Sequence, residues 1–282
     1  MLLILNRFIY KAVLATACLA AGLAQAQYPF DVPFVPTPQV VVDEMLRLAR
    51  VGAQDYVIDL GSGDGRIPIT AAKKFGARGL GVDLDPDLHA QSEEGARQAG
   101  VEARVKFLNQ DLFKTDISEA TVITMYLLPG VVKRLRPRLL ELKPGTRIVS
   151  HDFDMEDWKP DSKTTIRKNV FLWIVPAQVG GRWQARIALP GGERDFEFDF
   201  RQQFQEVDGL ARINGQMTQL WLSGLESDRI RFVIVDSTDR ENEASLYFEG
   251  RVRGEVMEGE IRRGVGSGQT MHKWRAVKAG AK

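Results

Sequence analysis

Cysteine is nearly absent from this sequence of 282 residues: Cys18 is the only one. It lies in an N-terminal apolar segment, so removal of that segment would exclude disulfides and cysteine metal sites from the remaining chain. Histidine is also scarce, and His89, His151 and His272 are too far apart in sequence to predict a metal site. The 38 basic residues nearly balance the 37 acidic ones, which gives no basis for expecting a nucleic-acid-coating surface.

Residues 1–26 have the pattern of a secretory signal peptide. Arg7 and Lys11 form a positive segment, residues 12–23 are mostly apolar, and residues 24–26 (Ala-Gln-Ala) offer a small-residue cleavage site. An uncleaved membrane anchor is the alternative, although the two basic residues interrupt the apolar run that a full span needs. Either alternative predicts a protein of the periplasm or cell envelope that meets the membrane only through this segment.

The remaining sequence changes its hydrophobic pattern twice. Residues 27–54 contain a proline-rich arm and a first helix, whereas residues 55–176 alternate short apolar strands with amphipathic helices. Such alternation predicts an α/β domain with a parallel sheet covered on both faces. Residues 177–282 have an apolar period of two, which predicts a smaller antiparallel barrel or sandwich. The predicted strands of the α/β domain are 56–60, 79–83, 105–109, 121–127 and 147–150, and its later helices are 67–75, 87–99 and 135–142.

A glycine-rich loop follows the first of these strands, in the run Asp59-Leu60-Gly61-Ser62-Gly63-Asp64-Gly65-Arg66. Glycine loops alone are common in α/β turns, so the acidic residues decide the interpretation. The carboxylates of Asp59 and Asp64 would oppose the pyrophosphate of a dinucleotide. They would favour S-adenosylmethionine, which carries an ammonium and a sulfonium but no phosphate.

Two further acidic residues follow the next two strands. Asp83 comes about 20 residues after the loop, where a carboxylate is expected to grip both ribose hydroxyls. Asp111, followed by Leu112, could accept a hydrogen bond from the adenine amino group, with the leucine packed near the ring. By itself Asp111 is more typical of a turn, but three acids at successive strand ends favour a nucleoside pocket. Asp85 is predicted to cap the helix that begins at Pro86.

These motifs resemble those of class I S-adenosylmethionine-dependent methyltransferases, which have a Rossmann-like fold. More narrowly, the glycine loop, Tyr126-Leu127-Leu128-Pro129 and Trp158-Lys159-Pro160 resemble a group of lysine methyltransferases. That group includes the mitochondrial enzymes that modify the c-subunit of ATP synthase and the adenine nucleotide translocase, with bacterial relatives. The resemblance covers roughly residues 33–176, and the predicted signal peptide and β-rich C-terminal region depart from the mitochondrial members.

The resemblance implies a methyltransferase with S-adenosylmethionine as cofactor and a methyl acceptor that is a protein lysine or another nucleophile. It places the cofactor against Asp59, Gly61, Ser62, Gly63, Asp64, Asp83, Asp111 and Leu112, and Tyr126 beside the transferable methyl group. His151, Asp152 and Asp154 are candidate proton acceptors for the acceptor amine, and Tyr126 and Trp158 are candidate aromatic walls. Each also has a structural alternative: His151 at a strand end, Tyr126 in the core and Trp158 as a loop anchor.

Two other functions stay open. A non-catalytic module could retain the nucleoside pocket while its β domain binds an envelope ligand. A nicotinamide-dependent oxidoreductase is the second alternative, which Asp59 and Asp64 disfavour.

Overall fold

The computed structural model of this protein describes residues 34–238, 243–264 and 268–280. The predicted signal peptide and most of the proline-rich arm lie outside these residues. No helix within the described ranges is long and apolar enough to span a membrane. Residues Pro36–Lys282 form one unit that contains two sheets.

The first sheet has seven strands and confirms the predicted α/β fold. Its strands are β1 (Tyr56–Leu60), β2 (Arg78–Asp83), β3 (Val105–Asn109), β4 (Val122–Met125), β5 (Arg147–His151), β6 (Ser162–Ile166) and β7 (Lys168–Ile174). They lie in the order β3-β2-β1-β4-β5-β7-β6. The first five pair in parallel, whereas β7 runs antiparallel to both β5 and β6. Chain order reverses between β1 and β4, and a ligand crevice is expected at the carboxyl ends of strands around such a point.

Helices cover both faces of this sheet. They are α1 (Gln39–Leu48), α2 (Arg66–Phe75), α3 (Pro86–Ala99) and α4 (Pro129–Leu140). Neighbouring strand residues point to opposite faces, so Val57 packs in the core with α1 and α2 while Ile58 packs in the core with α4. Burial on both faces explains why these strands read as continuous apolar runs in the sequence. Asp85 caps α3, as predicted, by accepting hydrogen bonds from the backbone of residues 87 and 88.

The structure corrects three predictions for this domain. Helix α4 begins at Pro129, six residues before the predicted start, because proline suits the first helical turn. Strand β4 is limited to Val122–Met125, shorter than the predicted 121–127. The hairpin of β6 and β7 was not predicted at all. In this hairpin β7 pairs with β5 in the antiparallel sense, so the start of β7 lies at the carboxyl end of β5.

The second sheet is antiparallel, has nine strands and curls into a nearly closed barrel. Its strands are β8 (Gly181–Leu189), β9 (Gly192–Gln203), β10 (Glu206–Ile213), β11 (Gln216–Gln219), β12 (Trp221–Glu226), β13 (Arg229–Asp236), β14 (Ala244–Arg253), β15 (Val256–Arg263) and β16 (Thr270–Lys278). Their order is β11-β10-β9-β8-β16-β15-β14-β13-β12. Near the seam, the Ser223 hydroxyl of β12 donates to the Val207 carbonyl of β10.

Aromatic rings fill the barrel interior. Phe200 of β9 lies 5.4 Å, centroid to centroid, from Phe232 of β13, although four strands separate β9 and β13 in the sheet. Phe232 in turn stacks on Phe248 at 4.6 Å. Contacts between such distant strands require the sheet to curl around a common core. The predicted all-β domain is therefore a barrel whose own side chains occupy its centre.

Candidate active site

The glycine loop joins β1 to α2 and is fastened to the neighbouring strand. The backbone N–H groups of Gly61 and Ser62 both donate to the carbonyl of Val82, each at 2.9 Å. Gly61 has φ +78°, and a Cβ there would lie 2.8 Å from Cδ2 of Leu127. Gly65 also has positive φ, +76°, at the start of α2. The loop thus needs glycine for its backbone conformation and its close packing.

Asp83 lies at the end of β2, directly against this loop. Its Oδ2 accepts a hydrogen bond from the Gly63 N–H at 2.8 Å, and its Oδ1 accepts from the Asp85 N–H at 3.0 Å. Each carboxylate oxygen can accept more than one hydrogen bond. The side chain is only half-buried, so it is held in place and still able to accept hydroxyl donors from a ligand.

Asp59 lies at the carboxyl half of β1 and is fully buried. Its Oδ1 accepts a hydrogen bond from the Thr124 hydroxyl on β4 at 2.7 Å. The pKa of Asp59 is raised to about 8, chiefly by burial and to a smaller extent by the nearby carboxylates of Asp83 and Asp64, while the Thr124 hydrogen bond opposes the shift. Without a cation nearby, this carboxyl group is therefore mostly protonated at pH 7.

Asp64 is placed differently from the other two acids. Its carboxylate forms an ion pair with Arg66, with Nη2 and Oδ2 2.5 Å apart and Nε and Oδ1 2.9 Å apart. Arg66 also donates to the backbone carbonyl of Thr37 at 2.9 Å. The Asp64 carboxylate therefore balances the charge of Arg66. Arg66 in turn connects the segment before α1 to the glycine loop.

The end of β3 reaches the same edge. The Gln110 N–H donates to the Asp83 carbonyl at 3.0 Å, which brings Asp111 beside the end of β2. Oδ1 of Asp111 accepts from the Phe113 N–H at 2.9 Å, as in an Asx turn. The turn role and the ligand role are compatible, since the carboxylate retains acceptor capacity. Leu112 is partly buried and packs against the core on the α4 side of the sheet.

Tyr126 and His151 meet at the ends of β4 and β5. Their ring centroids are 4.0 Å apart, and Phe153 lies 6.2 Å from Tyr126 on an almost parallel plane. Nδ1 of His151 is 3.2 Å from the Thr37 hydroxyl. Burial lowers the pKa of His151, with Lys168 adding to the shift and Asp152 opposing it. The imidazole is thus neutral at pH 7.

Two buried polar atoms at the carboxyl end of β5 have no hydrogen-bond partner within the described ranges. They are Nε2 of His151 and the hydroxyl of Ser150. Leaving such groups unpaired costs free energy, and each requires an explanation such as catalysis or an additional ligand. The pair marks this edge of the sheet as a site that a polar group can complete.

Asp152 follows His151 with a left-handed backbone, φ +70°. Its Oδ2 lies 2.7 Å from Nζ of Lys168, the first residue of β7. The ion pair raises the pKa of Lys168. Asp154 is exposed and accepts a hydrogen bond from the Glu156 N–H.

Trp158 is not an open aromatic wall. Its side chain is fully buried, with its ring 5.5 Å from that of Phe204 at an interplanar angle of 13°. The structural alternative, a loop anchor, is the one that its position fits. His89 and His272 lie on α3 and β16, and the described part of the chain has no cluster of metal-ligating side chains.

Known sequences match the segment that carries these residues. The family model described as the ANTKMT methyltransferase domain matches residues 59–162. A protein-lysine N-methyltransferase of Saccharolobus islandicus is 47% identical over an alignment of 155 positions that covers 52% of this chain and 96% of that protein. The chain belongs to this methyltransferase family.

Two other relatives agree with this assignment. The mouse lysine N-methyltransferase that is named for the c-subunit of ATP synthase is 35% identical to 47% of this chain, which spans 53% of that enzyme. The solved structure of an RNA methyltransferase from Salinibacter ruber, in complex with S-adenosylhomocysteine, has a TM-score of 0.51 and 53% identity. It covers 51% of this chain and 96% of its own. The present methyltransferase accordingly uses S-adenosylmethionine as its cofactor.

The residues of this methyltransferase fit that cofactor. Asp83 keeps free acceptor sites, and Asp59 offers a carboxyl group that a cation would ionise. The sequence did not indicate Thr37, Thr124 or Lys168. Each contacts a predicted site residue that is distant in sequence, so no local pattern could have identified them.

Proposed function

We propose that this methyltransferase transfers the methyl group of S-adenosylmethionine to the side-chain amine of a protein lysine. The observation that carries the proposal is the buried imidazole of His151, whose Nε2 has no partner within the described ranges and whose ring contacts Tyr126. The names of the Saccharolobus and mouse relatives, both lysine N-methyltransferases, support the same acceptor.

Binding of the cofactor is assigned to the carboxyl edge of the first sheet. Asp83 would accept from the ribose hydroxyls and Asp111 from the adenine amino group, while Asp59 would face the ammonium of the methionine part. Asp64, which is paired with Arg66, would act by holding the loop and the Thr37 segment together. When bound, the cofactor supplies an electrophilic methyl group on a sulfonium, which a neutral amine can displace.

On the acceptor side, the chain must desolvate a lysine amine and take up its proton. A lysine side chain loses its proton more readily when it leaves water for an apolar site, here formed by Tyr126 and Phe153. With the Nδ1 proton donated to the Thr37 hydroxyl, Nε2 of His151 carries the free lone pair and can accept a proton. Asp152, at the mouth of this site, is a second acceptor that Lys168 holds in place.

The test incubates the full chain with methyl-tritiated S-adenosylmethionine and, separately, with total bacterial protein and total bacterial RNA. The protein is then hydrolysed and analysed for methylated lysine. Two variants serve as controls. Asp83→Ala is expected to lose cofactor binding, and His151→Gln is expected to bind the cofactor normally while losing most of the methyl transfer.

Label in methyl-lysine that disappears in both variants would support the proposal. Label in RNA with none in protein lysine would replace the lysine acceptor by a nucleotide, in keeping with the name of the Salinibacter relative. Normal cofactor binding without transfer to either extract would favour the non-catalytic alternative.

We also propose that the enzyme is exported to the periplasm or cell envelope. Arg7, Lys11, the apolar residues 12–23 and the small residues 24–26 support this location. Since S-adenosylmethionine is made in the cytoplasm, methyl transfer in the envelope requires the cofactor to reach that compartment. Fractionation of cells that express the full chain is expected to give a periplasmic product beginning at Gln27. A cytoplasmic product that retains residues 1–26 would overturn the proposal.

A further inference from the structure

The loop between β5 and β6 connects the site to the barrel. Its first part, residues 152–158, is called the acceptor loop here. It begins with Asp152 and Phe153 beside Tyr126 and ends at the buried Trp158. Asp152 and Glu156 both have left-handed backbones, with φ +70° and +59°. Such conformations persist in non-glycine residues only where surrounding contacts hold them.

The barrel supplies contacts at the far end of this loop. Phe204 and Gln205, called the barrel turn, connect β9 to β10. The Phe204 ring stacks on Trp158, and Oε1 of Gln205 accepts a hydrogen bond from Trp158 Nε1 at 3.0 Å. Nε2 of Gln205 donates to the carbonyl of Lys159 at 2.8 Å. One glutamine thus binds the side chain of one residue and the backbone of the next.

Helix α4 holds the same loop from another side. Arg136 donates to the carbonyl of Met155 at 3.0 Å and forms an ion pair with Asp157. Its guanidinium also lies 5.8 Å from the centre of the Phe204 ring. The carbonyl of Trp158 accepts from Trp173 of β7 at 2.7 Å. The acceptor loop is therefore held between the first sheet, α4 and the barrel turn.

We propose that Phe204 and Gln205 are positioning residues for methyl transfer: the barrel turn fixes Trp158 and thereby sets the position of Phe153 and Asp152 in the acceptor site. This inference rests on the proposed function and gives the barrel a role in it. The barrel turn can influence Phe153 through the backbone, because Phe153 and Trp158 belong to the same short acceptor loop.

Catalytic consequences are expected from small movements of this loop. Methyl transfer by in-line displacement depends on alignment of the amine with the methyl group, and a displacement of about 1 Å can cost up to about a hundredfold in rate. Within the described residues, the hydrogen bonds and ring contacts of the barrel turn do not involve the glycine loop or Asp83. Loosening the turn should therefore lower turnover while leaving cofactor affinity unchanged.

The experiment compares the full chain with Gln205→Ala, with Phe204→Leu, which keeps an apolar side chain, and with Gln205→Glu, which keeps the acceptor for Trp158. Gln219→Ala, an exposed glutamine on β11, is the matched control. Hydrogen exchange followed by mass spectrometry reports the amides of residues 152–158 and 61–65. Calorimetry gives the Kd of S-adenosylmethionine, and the labelled bacterial extract gives the transfer rate.

For Gln205→Ala we expect faster exchange in residues 152–158 only, a cofactor Kd within about twofold of wild type, and a transfer rate about tenfold lower. Phe204→Leu should act in the same direction, and Gln205→Glu should recover part of the rate. Unchanged exchange in the loop would overturn the inference, as would faster exchange with an unaltered transfer rate. Absence of transfer by the wild-type chain would instead overturn the proposed function, and the exchange comparison would still decide whether the barrel turn holds the loop.

Discussion

Replacing Asp59 by asparagine is expected to stabilise the ligand-free protein while weakening cofactor binding. Asp59→Asn keeps the oxygen that accepts the Thr124 hydrogen bond and removes the ionisable group. In the folded chain the pKa of Asp59 is about 8, against an ordinary value of 3.8. Between these two values the folded protein holds a proton that the unfolded chain releases. Wild-type stability therefore falls as pH rises through this window.

The magnitude follows from about 1.4 kcal/mol for each pH unit within the window. At pH 7 the carboxyl group costs the wild-type fold about 4 kcal/mol, and at pH 5 about 2 kcal/mol. Below its unfolded pKa the cost disappears. The asparagine variant has no such dependence, so its advantage over wild type should grow with pH up to about 8.

Urea denaturation of the full chain, followed by tryptophan fluorescence at pH 5, 6, 7 and 8, measures this difference. Trp158 and Trp173 report unfolding around the first sheet. Asp199→Asn, which makes the same chemical change at an exposed position on β9, should show a nearly constant difference from wild type. A stability difference between Asp59→Asn and wild type that stays constant from pH 5 to 8 would refute the buried-carboxyl argument.

Four further results are expected. S-adenosylmethionine binding should release a proton at pH 7 from wild type but not from Asp59→Asn, which calorimetry in buffers of different ionisation enthalpy would detect. Asp83→Ala should abolish measurable binding by calorimetry while circular dichroism stays unchanged. Gly61→Ala should lose about 1–3 kcal/mol in urea denaturation, because its φ is +78° and its Cβ meets Leu127. His151→Gln should lower the transfer rate about a hundredfold at pH 7, and the ratio of the wild-type rate to the variant rate should shrink as pH falls well below 6.5, because protonation of His151, whose pKa is lowered, removes the proton acceptor.

The central strands of the first sheet could be predicted from sequence because both of their faces are buried. Among them, Tyr56–Leu60 matches the predicted bounds. The edge strand Val105–Asn109 also matches, although three of its five residues are exposed, and Asp85 caps α3 as expected. The hairpin of β6 and β7 could not be predicted in the same way. Strand β6 is half exposed along its length, so it lacks the apolar run that identified the other strands.

The contacts of the site are harder to predict because they join distant parts of the chain. His151 meets Thr37 across 114 residues, and Asp59 meets Thr124 across 65. The prediction that acidic residues at the ends of successive strands share one edge of the sheet is confirmed, since parallel strands bring their carboxyl ends to the same edge. The sequence could not indicate that Asp64 forms an ion pair with Arg66. Nor could it indicate that Gln205, a barrel residue 47 positions later, accepts a hydrogen bond from Trp158.

Three polar groups that are expensive to bury lie near the carboxyl ends of β1 and β5. Burial keeps the Asp59 carboxyl group protonated, and Ser150 and His151 of β5 each have an unpaired buried atom within the described ranges. A fold selected for stability alone would replace such groups by apolar or fully bonded ones. Cofactor and acceptor can reverse these costs by supplying a cation beside Asp59 and a polar partner for His151. The cost of burying these groups lowers the stability of the ligand-free protein, and its reversal on binding adds to the affinity for cofactor and acceptor. Asp59→Asn should therefore gain stability and lose cofactor binding together.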